Sequence, residues 1–446
     1  MVILIKILQT VLALGILILV HEFGHFIFAK LFGIRVDKFY LFFDAGGVKL
    51  FSTKSRWFTK LCPKAQDWET EYGIGWLPLG GYCKISGMID ESMDTDQLAG
   101  EAQPWEFRTK PAWQRLLVMA GGVLFNFILA IVAYIAILAT WGESYISNED
   151  KQIYANELAE EMGFRTGDHI ISFDDYYPEN FGMLQADLAR EMADKATVLR
   201  DGDTLDIYID QNKIGEVLKQ PGMFDLALPF TVREIPEASA NLQAGLLPGD
   251  RIISVDSTNV CFVQDAWPIL ENHAGKQVNA SILRDGDTLA FTLQVDTTGK
   301  LGILLENPEL CQKEYSVIAA IPAGFSKTFT TIGSYLKDLK LVVTPSTEAY
   351  KSVGSFISIG NIFPSVWDWH SFLSILALLS VMLGVINLIP IPALDGGHIL
   401  FTLYEIITRR KPSDKFLYVM QIIGMVLLLG LMFLAFGNDI ARFFFK

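Results

Sequence analysis

The segment VHEFGHF (20–26) puts His21, Glu22 and His25 within five residues of an otherwise apolar run. Residues four apart share one face of a helix, so both imidazoles can reach a single metal ion. HExxH is the zinc pattern of metalloproteases, in which the glutamate takes a proton from the attacking water. The surroundings sharpen the pattern. An ionised side chain at the centre of a bilayer costs at least about 2.5–3.5 kcal/mol unless it is paired, and a divalent cation would partner all three groups. The competing reading is a helix facing a polar bundle interior without metal. Zinc needs a third protein ligand, and no third histidine follows closely. Glu69 and Glu71 are loop candidates. Asp395 is the stronger one, because it is the only acid in INLIPIPALDGGHIL (386–400). Pro390 and Pro392 should break the helix before it, and Gly396-Gly397 should loosen the chain after it. His169, His273, His370 and His398 have no ligand spacing.

The elements that must carry these residues are hydrophobic. The chain has 446 residues, 51% hydrophobic, with mean hydropathy +0.33. Four runs approach the roughly 20 apolar residues that cross a bilayer: 2–31, 116–140, 371–392 and 417–436. The first is too long for a signal peptide, has no small-residue cleavage site, and reads as a retained span. The net charge of −14 is unevenly spread, since residues 141–370 hold 17 Lys and Arg against 34 Asp and Glu. Arg35, Lys38, Lys110 and Arg115, and the cluster Arg409, Arg410, Lys411 and Lys415, flank spans. The positive-inside rule then puts loops 32–115 and 393–416 in the cytoplasm, and the acidic middle and both termini outside. Nothing points to nucleic acid. Cys62, Cys83, Cys261 and Cys311 have neither metal nor disulfide-framework spacing.

The acidic middle contains a repeat. GFRTGDHIISFDD (163–175) answers to GLLPGDRIISVDS (245–257), and LRDGDTLDIYI (199–209) to LRDGDTLAFTL (283–293). Each copy has a Gly-rich turn feeding an apolar strand, then a D-G turn between strands. Ala244, Gly245, Leu246, Gly249, Asp250 and Ile252 resemble the corresponding element of PDZ domains, which take up chain ends or extended peptides by strand addition. The loop 32–115 reads as short strands joined by Gly and Pro turns. Phe325, Phe329, Ile332, Leu336 and Leu339 predict an amphipathic helix over 325–343, lying on the outer membrane face or packed on the repeat.

HExxH in the first span, a PDZ-like insert and N-x-x-P-x-P-x-L-D-G-G in the third together resemble the site-2 protease family of intramembrane zinc metalloproteases, across essentially the whole chain. The resemblance implies one Zn2+ held by His21, His25 and Asp395, with Glu22 as catalytic base. It implies substrate-binding roles for Asn387, Pro390 and Pro392, and for Gly80 and Gly81 of PLGGYCKI (78–85). The implied fold is a polytopic α-helical membrane protein with four transmembrane helices, a membrane-re-entrant β region and a tandem PDZ insert outside the cytoplasm. Its divisions are 1–31 (first span), 32–115 (β region), 116–140 (second span), 141–220 and 221–308 (PDZ domains), 309–370 (post-PDZ region), 371–392 (third span, leading to 394–397), 393–416 (cytoplasmic loop) and 417–446 (fourth span and tail). The implied setting is a bacterial inner membrane with the zinc toward the cytoplasm. The implied substrates are membrane proteins already cut by another protease, such as an anti-sigma factor, or remnant signal peptides. The implied partners are these, the bilayer, and chain ends at the PDZ domains. Two departures stand out. Gly46-Gly47 occupies the place of the family's Gly-x-Gly, and Asn126 falls one position late against its Gly-Pro-x-x-Asn. Two other classes fit parts of the pattern: a membrane-anchored PDZ receptor with a structural metal, and a metal transporter. Glu22 speaks against the first, because a structural site needs no base. The lack of a chain of intramembrane acids speaks against the second.

Overall fold

The computed structural model describes residues 2–78, 80–88 and 100–444. Leu79 of PLGGYCKI and residues 89–99 of the β region lie outside the described residues, as do Met1 and residues 445–446. The chain divides into two compact units. One comprises 1–142, 314–340 and 350–446, and the other 143–313 with 341–349.

The first unit is built on four helices long and apolar enough to cross a membrane, Val2–Leu31, Ala112–Trp141, Trp369–Leu388 and Asp414–Phe444. A helix satisfies its own backbone groups, so it is the form such runs take in lipid. Ile3, Leu4, Ile423 and Val426 point outward and are largely exposed. The first and second helices meet backbone to backbone. A Cβ on Gly24 would lie 2.2 Å from the Gly121 carbonyl oxygen, and one on Gly121 would lie 2.5 Å from that of Gly24. Small residues are what allow helices to approach this closely without a hydrophobic drive between them.

The third helix ends at Leu388, four residues before the predicted limit of 392. Ile389 is already extended, and the prolines at 390 and 392 carry no backbone N–H to continue the ladder. Ala393 then turns with φ +76°, and a new helix starts at Asp395 and runs to Thr408. This corrects the expectation that Gly396-Gly397 loosens the chain. Both are helical and buried, because their missing side chains admit the broken segment. A Cβ on Gly396 would lie 2.2 Å from the Ile389 carbonyl oxygen, and one on Gly397 2.6 Å from that of Ile391.

Between the first two spans lies a four-stranded sheet: β1 (Val36–Leu41), β2 (Lys49–Ser52), β3 (Glu71–Gly75) and β4 (Tyr82–Ile85), in the order β2-β3-β1-β4. β1 is parallel to β3 and antiparallel to β4, so β2 and β4 are the edges. The amphipathic helix spans Val317–Val343, beginning eight residues before its predicted start. Gly324 presses on Ile135, while Ile332, Tyr335 and Leu339 pack on the core of the second and third spans.

In the second unit the repeat holds down to single atoms. Arg200 Nε lies 2.7 Å from Asp168 Oδ1 and Arg200 Nη2 lies 2.9 Å from the Gly163 carbonyl oxygen. Arg284 repeats this with Asp250 at 2.7 Å and Gly245 at 2.8 Å. Each copy pairs three core strands: His169–Phe173, Lys195–Arg200 and Asp203–Tyr208 in the first, Arg251–Val255, Gln277–Arg284 and Asp287–Gln294 in the second. Each has its own apolar core.

Candidate metal centre and catalytic cleft

The first helix brings His21 and His25 to one face, edge to face with their ring centroids 4.9 Å apart. Their Nε2 atoms are 3.3 Å apart, and Asp395 Oδ2 lies 3.3 Å from His21 Nε2 and 3.4 Å from His25 Nε2. Among the described residues these three form the one His/Cys/Asp/Glu group able to hold a metal ion. The spacing suits zinc. Ligands at about 2.0–2.1 Å from a tetrahedral ion stand about 3.3–3.4 Å from one another. Asp395 Oδ2 is buried without a hydrogen-bond partner, which marks an atom oriented toward something other than protein.

The surrounding residues fix the ring orientations. His25 Nδ1 sits 2.8 Å from the Val118 carbonyl oxygen, so it carries the hydrogen and leaves the Nε2 lone pair facing Asp395. His21 Nδ1 is 3.0 Å from the side chain of Asn126, which is fully buried in the second span. Gly122 supplies the floor. A Cβ there would lie 2.5 Å from His25 Nε2 and 2.6 Å from His21 Cε1. Asp395 is delivered from the far side of the sequence by the helix that starts with it. Arg115 at the base of the second span ties that helix down through Glu405, Nη2 to Oε1, at 2.5 Å.

A cavity of about 530 Å3 opens on the group, bordered by Glu22, Gly81, β4 residues Tyr82 to Ile85, Ala393, Leu394, His398 and Gln421. Glu22 therefore shares the cleft with all three candidate ligands and with Cys83 of β4. Among the described residues β4 has no partner strand on that side, so its open edge faces the centre. Gly81 borders the cavity, and its missing side chain lets the chain entering β4 close on the first helix, where a Cβ would stand 2.6 Å from Ile18 Cγ2. Gly80 lies instead against the Phe43 ring. Asn387 lies in the last turn of the third helix and Pro390 and Pro392 on the broken segment, and none of the three borders the cavity. Glu69 and Glu71 are taken by other partners, Lys30 for the first, and Lys49, Ser52 and Tyr40 for the second. Gly46 and Gly47 form an open turn with φ +67° and +75°. Sequence reading missed Gln421, the one glutamine of the fourth helix.

The chain matches the family model described as Peptidase family M50 over residues 9–431. It is 29% identical, over 97% of both chains, to the regulator of sigma-E protease RseP of Salmonella typhimurium and to that of Escherichia coli K12. A Neisseria meningitidis protein whose name carries the words zinc metalloprotease is 27% identical over 98% of both chains.

Proposed function

The chain belongs to peptidase family M50 and is a zinc-dependent metalloprotease of the site-2 type; we propose that His21, His25 and Asp395 hold its zinc, that Glu22 is its catalytic base, and that its substrates are transmembrane segments. The convergence of three ligand atoms at 3.3–3.4 Å, two of them on a helix long and apolar enough to cross a membrane, supports this reading. When bound, zinc polarises the scissile carbonyl and lowers the pKa of water at its open position. Glu22 takes the proton of the attacking water and passes it to the leaving amine. A substrate helix hides its peptide bonds and must be unwound first. The free edge of β4 can pair with the unwound strand by β-addition and align one bond with the centre, with Gly81 letting that edge sit close to the first helix. Asn387, Pro390 and Pro392 would hold the strand on the other side of the site, and Gly80 would shape the turn into β4.

The finer assignments extend the same reading. The two repeats act as tandem PDZ domains outside the cytoplasm, binding chain ends and restricting access to proteins already trimmed, such as an anti-sigma factor, or to remnant signal peptides. The β sheet dips into a bacterial inner membrane from the cytoplasmic side, where the basic clusters place the zinc. In a reconstitution of purified protein with a model single-span substrate, mass spectrometry should find a cut within or beside the span, and none with Glu22→Gln. Cleavage that persists with Gln would refute the assigned base.

A further inference from the structure

The fourth helix is mostly an outward-facing apolar surface, yet one of its residues faces the other way. Gln421 is 4% exposed and borders the cavity that holds Glu22 and Asp395. Its amide has no hydrogen-bond partner among the described residues. A primary amide on a helix that otherwise faces lipid is costly unless a polar partner is within reach, so its place at the cavity wall needs a reason. Packing fixes it there. Gly424, one turn on, lies against the broken segment so tightly that a Cβ would stand 1.7 Å from the Pro392 carbonyl oxygen. The fourth helix is thereby seated on the loop that delivers Asp395, and Gln421 is turned inward with it.

We propose that Gln421 is a substrate-binding residue that hydrogen-bonds the peptide backbone of the unwound segment, as a second wall of the cleft besides the β4 edge. The chemistry fits a main chain rather than a particular side chain. A carboxamide offers one acceptor and two donors, the complement of a peptide unit's N–H and C=O. Such a contact is independent of sequence, which suits an enzyme that must hold apolar segments whose only polar groups are their peptide bonds. Unwinding frees those groups from their partners within the helix, and each must find another.

This inference rests on the protease reading, and the experiment separates the two. In a Glu22→Gln background, which binds without cutting, the Kd of a fluorescent single-span peptide is measured with Gln421, with Gln421→Leu and with Gln421→Glu. Binding of acetohydroxamate, which needs only the metal, is measured alongside. Leucine should weaken the peptide about tenfold, the loss of one or two neutral hydrogen bonds. Glutamate, which keeps an acceptor but no donor and adds a charge, should not restore the affinity, and hydroxamate binding should be the same with glutamine and leucine. Unchanged peptide affinity with leucine overturns the proposal. So does a parallel loss of hydroxamate binding, which would make Gln421 a structural support of the centre. If the protein with Glu22 intact fails to cut the peptide at all, the protease reading falls, and this proposal with it.

Discussion

Asn126 Nδ2 stands 3.0 Å from His21 Nδ1, while the Asn126 side-chain oxygen is buried without a partner. Turning the amide over gives the oxygen a partner. The oxygen then accepts Nδ1–H, and His21 Nε2 is left with its lone pair toward Asp395. The Asn126 carbonyl accepts the Ser380 hydroxyl at 2.7 Å, so one residue ties the third span to the second and the second to His21. Asn126→Leu should lower zinc affinity about 10–100-fold, and Asn126→Asp, which keeps the acceptor, should lower it less. Competition with a chelating dye measures both. Equal affinity in wild type and the leucine variant would remove Asn126 from the site.

Gly122→Ala tests the floor beneath the rings. The new methyl would stand 2.5 Å from His25 Nε2, closer than carbon and nitrogen tolerate, so the histidines must shift off the geometry the metal needs. Zinc content and cleavage should both fall sharply while the four spans still assemble. Gly430→Ala, in the same kind of helix but with open space at its Cβ, is the control and should change neither. Metal content by mass spectrometry and thermal unfolding in detergent report the outcome.

Much of the centre was legible in the sequence, because HExxH and the Asp-Gly-Gly after a proline-broken span are local patterns. The repeat was legible, since GD and LRDGD recur at similar offsets, whereas the Asp168–Arg200 and Asp250–Arg284 pairs came only with the structure. Other features depend on contacts between distant segments. The order β2-β3-β1-β4, with β1 parallel to β3, leaves no mark on strand periodicity. The helix Asp395–Thr408 was hidden because glycines argue against a helix until the carbonyls of Ile389 and Ile391 are seen pressing on them. A single polar residue such as Gln421 or Asn126 gives no direction in a helix apolar all round, and only the fold shows which way it faces.

The second repeat should be acid-sensitive in a defined window. The Arg284 guanidinium holds the buried Asp250 carboxyl below the usual carboxylate range. A folded-state pKa below the unfolded value of about 3.9 gives stability that is complete above that value and is lost as the pH falls through the folded pKa. Asp250→Asn should destabilise residues 245–295 by about 1–3 kcal/mol at neutral pH, and the gap to wild type should close below about pH 4. Hydrogen exchange of the full chain, corrected for intrinsic rates at each pH, reads this segment separately. A gap that stays constant down to pH 2 would mean the charge of Asp250 is not what stabilises the turn.

The central claim is that two histidines of the first helix and one aspartate 370 residues beyond His25 hold a single zinc. Zinc per chain, measured on purified wild type, Glu22→Gln and Asp395→Ala, tests it most directly. The predicted result is one zinc in the first two, with cleavage only in the first, and neither zinc nor cleavage in Asp395→Ala. A full zinc equivalent retained by Asp395→Ala would contradict the account, because the third ligand would then have to lie elsewhere.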